Sequence, residues 1–175
     1  MRLLLDAMCG GLRSYLRMCG HDTVFVLDRG GEAEHGGASG RTGGDATREA
    51  EGSAFALGLA VGEDRTLVTR NVQLAERVDD AILLRERDPV EQLRELHGAG
   101  VDLTLDERPA FCGVCNGPLD RVGPDEPTAD YAPDAHDEAV WRCRDCGQQF
   151  WMGSHWERVA ETLRAVRASS NTSEE

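Results

Sequence analysis

Residues 2–27, RLLLDAMCGGLRSYLRMCGHDTVFVL, decide how the first half of this chain is read. A short leucine run closes on Asp6. Leu12, Tyr15, Leu16 and Cys19 then recur at helical spacing until Gly20, and TVFVL (23–27) is short and β-branched. The pattern is strand, helix, strand. It continues with a helix over 45–60 that starts at Asp45 or Thr47, a strand RTLVT (65–69) and a short helix VQLAERV (72–78). A strand AILLR (81–85) follows, then a helix over 88–100 with Pro89 in its first turn and glycines at its end. Alternating strands and helices predict an α/β fold, a mostly parallel sheet flanked by helices. Such sheets bind ligands beyond the carboxyl ends of their strands. Asp6 and Asn71 both stand where a strand finishes.

Residues 28–44 carry seven glycines and almost nothing apolar, so they are expected to form a flexible Gly-rich loop. They lack the GK[ST] of a phosphate-binding loop. The character changes near residue 105. The expected organisation is an α/β domain over 1–104, a small C-terminal unit with a terminal helix over 105–168, and a disordered tail over 169–175.

The formal net charge is −13, and all 19 basic residues are arginine. Such a surface repels phosphate at low salt, which argues against a plain nucleic-acid binder. Metal ions can reverse the local sign at a site. A lysine-free, acid-rich composition also suits an acidic proteome at high ionic strength, where the Debye length falls to about 3 Å near 1 M salt. No apolar run approaches the ~20 residues of a spanning helix. Asp6 interrupts the opening leucines before they could form a signal-peptide core, so a cytoplasmic protein without membrane contact is expected.

Cys112, Cys115, Cys143 and Cys146 form two C-x-x-C pairs, each followed by turn residues, Asn116-Gly117 and Gly147. Two such turns complete a tetrahedral four-sulfur zinc site. Disulfides do not suit a reducing compartment, and a redox motif uses one pair rather than two. Four thiolates leave no position for water, so this zinc is expected to be structural, holding a ribbon with little core. Cys9 and Cys19 read as small core residues. Ser154 and Glu157 match a capping box for the last helix. His155 touches substrate or stacks on a base, or else is a structural or solvent-facing histidine.

In the α/β part, Asp6, Asp45 or Glu49, and Asn71 are placed to meet, while Asp22 and Asp28 flank the second strand. Oxygen ligands at one sheet edge suit Mg2+ or Mn2+. The corresponding chemistry is metal-assisted phosphodiester hydrolysis.

The run DAMCGGLRSYLRMCGHDT resembles the opening of the Mut-seven C-terminal RNase domain family. Asp6, Met8, Gly10, Leu12, Leu16, Arg17, Gly20, Asp22 and Thr23 match, and Tyr15 stands for a tryptophan. The resemblance extends through TRN (69–71), RDPVEQLREL (87–96), CGVC (112–115) and WRCRDCGQQFWMGSHW (141–156). It implies a PIN-like nuclease domain fused to a zinc ribbon, a metal-dependent ribonuclease acting on RNA. Carried over by position, Asp6 is the first metal ligand, Asp45 or Glu49 the acid of the central helix, and Asn71 the third position. Arg17 matches a family arginine, a contact for phosphate or a residue bridging to an acid; Arg70 and His155 complete the expected substrate-binding set. Two departures stand out. Ser14 replaces an arginine, with Arg13 beside it. Asn71 replaces an aspartate, so the site lacks one negative charge unless Asp79, Asp80 or another acid supplies it. The alternative is a catalytically weakened PIN-like module that binds RNA, or a protein through its ribbon.

Overall fold

The computed structural model describes residues 1–30 and 45–170, the side chains of 45–51 and 170 excepted. Most of the expected loop (31–44) and tail (171–175) lie outside the described residues. The elements run β1 (Arg2–Leu5), a 3-10 segment (Ala7–Leu12), α1 (Arg13–Met18), β2 (Asp22–Phe25), α2 (Val26–Gly30), α3 (Asp45–Gly62), β3 (Thr66–Thr69), α4 (Val72–Ala75), β4 (Ala81–Leu83) and α5 (Pro89–Gly98). Then come β5 (Leu119–Arg121), β6 (Val140–Cys143), β7 (Gln149–Trp151) and α6 (Ser154–Ser170).

The first four strands form one sheet in the order β2-β1-β3-β4, every pair parallel. Successive side chains alternate faces, so the leucine run of β1 feeds two cores. Leu3 and Leu5, with Phe25 and Val68, meet Leu16, Leu93, Leu96, Val159, Leu163 and Val166. Leu4, with Val24 and Leu67, meets Ala56, Ala60 and Leu74. Helices α1, α5 and α6 thus cover one face, and α3 and α4 the other. Being buried on both faces explains why β1 is apolar without interruption from Leu3 to Leu5.

Several local features differ from the sequence expectation. The strand of 23–27 stops at Phe25, and Val26–Gly30 turns into α2, burying Val26 and exposing Leu27. The helix expected from Leu12 is preceded by the 3-10 segment, which threads a narrow gap. A Cβ at Gly10 would come within 2.7 Å of the Phe25 ring, and one at Gly11 within 3.1 Å of Pro89. At the far end, α6 extends through residues 169 and 170, into the expected tail. The Glu157 N–H bonds the Gly153 carbonyl, so Ser154 lies in the first turn rather than capping it.

The second sheet is antiparallel, β5-β6-β7, over a core of Val122, Ala135 and Val140 with Trp151. The two sheets are joined at β2. Arg17 is 1% exposed: its Nε donates to the Thr23 carbonyl at 2.9 Å, Nη1 to the Gly113 and Val114 carbonyls at 3.0 Å, and Nη2 to Asp28 at 3.3 Å. Asn116, at φ +67°, accepts from the Thr23 N–H at 2.9 Å and donates to Asp22 at 2.6 Å. The ribbon thereby covers the edge of β2, which would otherwise offer a free strand edge.

Candidate functional site

The strand order reverses between β1 and β3: the chain leaves β1 for β2 on one side, then crosses to β3 on the other. In open parallel sheets that reversal opens a crevice at the carboxyl ends of the two strands. Asp6 and Asn71 flank this point. Asp6 Oδ1 accepts from the Ala7 N–H at 2.7 Å, and Oδ2 accepts from the Thr69 hydroxyl at 2.8 Å. The same hydroxyl accepts from the Asn71 N–H at 3.0 Å. Buried Thr69 therefore ties the two residues together, and the sequence reading missed it. Asn71 Oδ1 caps α4 through the Leu74 N–H at 3.2 Å.

Arg70 stands between Thr69 and Asn71 in the chain, and its buried Nε has no hydrogen-bond partner among the described residues. Asp6 and Arg70 both act on Cys9, whose thiol burial, then the Asp6 charge, push up to about 12. Burial likewise pushes Cys19 up to about 12, and both cysteines are inert members of the core as expected. The remaining residues fall elsewhere. Arg17 has all three guanidinium nitrogens committed to the β2–ribbon joint. The side chains of Asp45 and Glu49 lie outside the described residues. Asp80 accepts from the Thr66 hydroxyl, at the amino end of β3, and Asp79 lies beside it. That is the wrong end of the strand, so neither replaces the charge absent at Asn71. Asp88, which the sequence reading passed over, follows β4 on the carboxyl side. It caps α5 through Oδ1, accepting from Val90 and Glu91.

The cysteines meet as their spacing requires. The four sulfurs lie within 4.8 Å of one another, with Cys112–Cys146 at 3.6 Å and Cys115–Cys143 at 3.4 Å. A tetrahedral zinc at ~2.3 Å from each sulfur needs them ~3.8 Å apart, so the site fits the ion. Backbone N–H groups of Val114, Cys115 and Gly117 point at the sulfurs of Cys112 and Cys115 at 3.4 to 3.5 Å. A Cβ at Gly117 would stand 2.9 Å from the Cys143 sulfur, so only glycine fits there. Burial pushes the Cys112 and Cys115 thiols up, while N–H groups of Cys146 and Asp145 hold Cys143 below its usual range against burial. These four cysteines can bind zinc in a closed site. Among the described residues no other group of three or more His, Cys, Asp or Glu gathers in this way.

His155 is exposed at the start of α6, between the ribbon and α1. Among the described residues no helix is long and apolar enough to cross a membrane.

A family model described as the Mut7-C RNAse domain matches residues 1–163. The chain belongs to this family. The match runs through both sheets and most of α6, so the carboxyl-edge residues and the cysteine pairs fall inside one family unit. No curated protein and no solved structure matches the chain.

Proposed function

We propose that this Mut7-C RNAse domain hydrolyses RNA phosphodiester bonds at the β1/β3 crevice, using a divalent cation, while zinc holds the ribbon. The observation that carries the reading is the pairing of Asp6 with Asn71 through Thr69 at the point where the sheet order reverses. When bound there, Mg2+ or Mn2+ supplies an activated water and offsets charge on phosphorus. Such ions need one or two carboxylates, with waters and substrate phosphate completing the shell. Asp6 is the first carboxylate. Arg70, with its buried Nε unpartnered, is suited to the substrate phosphate.

Helix α3, which starts at Asp45 and packs Ala56 and Ala60 in one cluster with Leu4 and Leu67, brings the second acid, Asp45 or Glu49. Asp88, on the same edge, offers a further carboxylate in partial compensation for Asn71.

The test is cleavage of labelled RNA in molar salt with Mn2+, beside an Asp6→Asn variant. Metal-dependent cleavage lost in the variant is the expected result; cleavage indifferent to both the metal and Asp6 would refute the assignment. A second reading, an RNA- or protein-binding module of low activity, is favoured by one observation: Asn71 caps α4 and brings no charge. Binding without cleavage would select it.

A further inference from the structure

The stretch WRCRDCGQQFWMGSHW contributes two cysteines to the metal site, and the rest of its second half has no part there. Those residues line two clefts that share an aromatic wall. One, of 240 Å³, lies between α1, the first cysteine turn and the start of α6; Phe111, Phe150, Trp151 and Trp156 line it, with Ser14 and His155. Its neighbour, of 250 Å³, shares Phe150, Trp151 and His155 and adds Tyr131. The Tyr131 ring lies 6.4 Å from that of Trp151, tilted by 34°. Gly153 permits this wall, since a Cβ there would strike the Trp151 indole at 2.6 Å.

The lining narrows what the larger aromatic surface can hold. The chain has 32 acids, yet neither cleft is lined by one. By contrast, two other surface clefts carry Asp28 with Asp145, and Asp120 with Glu126. The Ser14 hydroxyl, the His155 ring and the Trp156 indole N–H make no hydrogen bond among the described residues. Flat apolar faces with a few unpaired donors and acceptors and no carboxylate match a planar heteroaromatic ring.

We propose that the cleft between α1 and the ribbon receives an unstacked nucleobase of single-stranded RNA, a reading that rests on the RNA substrate proposed above. Stacking on an aromatic face is tolerant of sequence, and Ser14 and His155 are suited to a base edge. A net charge of −13 leaves the sugar-phosphate backbone little to be attracted to, so the bases must supply the affinity. An ordinary phosphate-contacting protein loses affinity steeply as salt rises; this one will not.

The experiment titrates the zinc-loaded Asp6→Asn protein, without added Mn2+ so that cleavage is suppressed, with a short oligoadenylate, following tryptophan fluorescence at low and at molar salt. Expected are quenching and an affinity that holds or rises with salt. Trp156→Ala should lose about tenfold in affinity, the order that one base stack contributes, and Trp156→Phe should retain most of it. Ser14→Met, which fills the cleft from α1, should lose a similar factor with zinc content and unfolding temperature unchanged. Unaltered binding by Trp156→Ala and Ser14→Met, equal binding of an abasic sugar-phosphate oligomer, or a steep fall with salt would each overturn the proposal. So would quenching by an apolar peptide that the oligoadenylate fails to displace. Base binding in the absence of any wild-type cleavage would keep the cleft and reject the nuclease; cleavage with no base-dependent quenching would do the reverse.

Discussion

Cys112 and Cys115 share one tight turn, as do Cys143 and Cys146, and two short strands bring the turns together. Asp6 and Asn71 are far apart in the chain and meet because β1 and β3 are parallel neighbours that end side by side. One site is assembled by local backbone geometry around soft sulfur ligands and is closed. The other is assembled by sheet topology around oxygen, at the crevice where we propose that phosphate binds. The closed site should therefore govern stability and the open one catalysis, and substitutions that separate these quantities test the contrast.

The largest effect is expected at the sulfurs. Cys143→Ser should bring zinc close to zero by metal analysis, where the wild type is expected to hold one ion per chain. Zinc sites in small peptides contribute on the order of 10 kcal/mol to folding, and the ribbon core of Val122, Ala135 and Val140 is too small to compensate. A Cys143→Ser protein with full zinc and an unchanged melting temperature would break the comparison at its stronger end.

Next is the joint between the two regions. Arg17→Met strands the carbonyls of Thr23, Gly113 and Val114, leaves Asp28 with Arg13 alone, and should cost about 3 kcal/mol in urea unfolding. Arg17→Lys should recover part of it, because an ammonium cannot span acceptors on three sides. If Arg17 served phosphate instead, the loss would appear in RNA affinity with stability intact.

At the open site, Asp6→Asn should lower metal-dependent cleavage by roughly 100-fold or more, the scale of removing one charge-stabilising group, with a small change in stability since the amide oxygen can still accept from the Ala7 N–H while its NH2 donates to the Thr69 hydroxyl. Asn71 separates the two roles further. Asn71→Ala should cost about 1 kcal/mol, the value of an N-cap. Asn71→Asp keeps the cap and restores a charge beside Asp6, so it should raise cleavage at limiting Mn2+ with stability unchanged. Equal activity of Asn71→Asp and wild type at all Mn2+ concentrations would show that this position does not serve the metal.

The contrast also explains what could be read from the chain. Cysteine spacing names its own ligands, since both halves of each pair are close in sequence. The alternation of strands and helices conveyed a parallel sheet, and with it the edge where Asp6 and Asn71 meet. Strand order was not accessible, because which strands neighbour β1 depends on packing across the whole sheet. Arg17 illustrates the limit: arginines are commonly exposed, and nothing in SYLRMCG signals that this one is buried under carbonyls from residues 113 and 114. Thr69 was hidden for a similar reason, its function resting on two partners that only the sheet brings together. The end of β2 was misjudged because VFVL is apolar in either state, and the chain turns helical once Phe25 has met Gly10.

The smallest expected effect concerns pH and lies on the α/β side alone. His21 is 5% exposed, its Nε2 donating to the Asp102 carbonyl at 2.6 Å and its Nδ1 3.1 Å from the amino group of Met1. Burial, with that ammonium as a further cause, lowers its pKa below the ordinary 6.5. The unfolded chain therefore takes up a proton near pH 6.5 that the folded chain refuses until lower pH. This contribution to stability is present above about 6.5 and is lost as pH falls from there through the lowered folded value. Asp22, held below the usual carboxylate range by Arg65 and Asn116 against the upward push of burial, acts in the same direction below about 3.8. His21→Gln should flatten the upper of these limbs and leave the lower one, as followed by urea unfolding across pH. Zinc release on acidification would add to both, because thiolates must compete with protons. A limb that His21→Gln leaves unaltered while zinc departs would therefore assign the acid sensitivity to the closed site rather than to the α/β core.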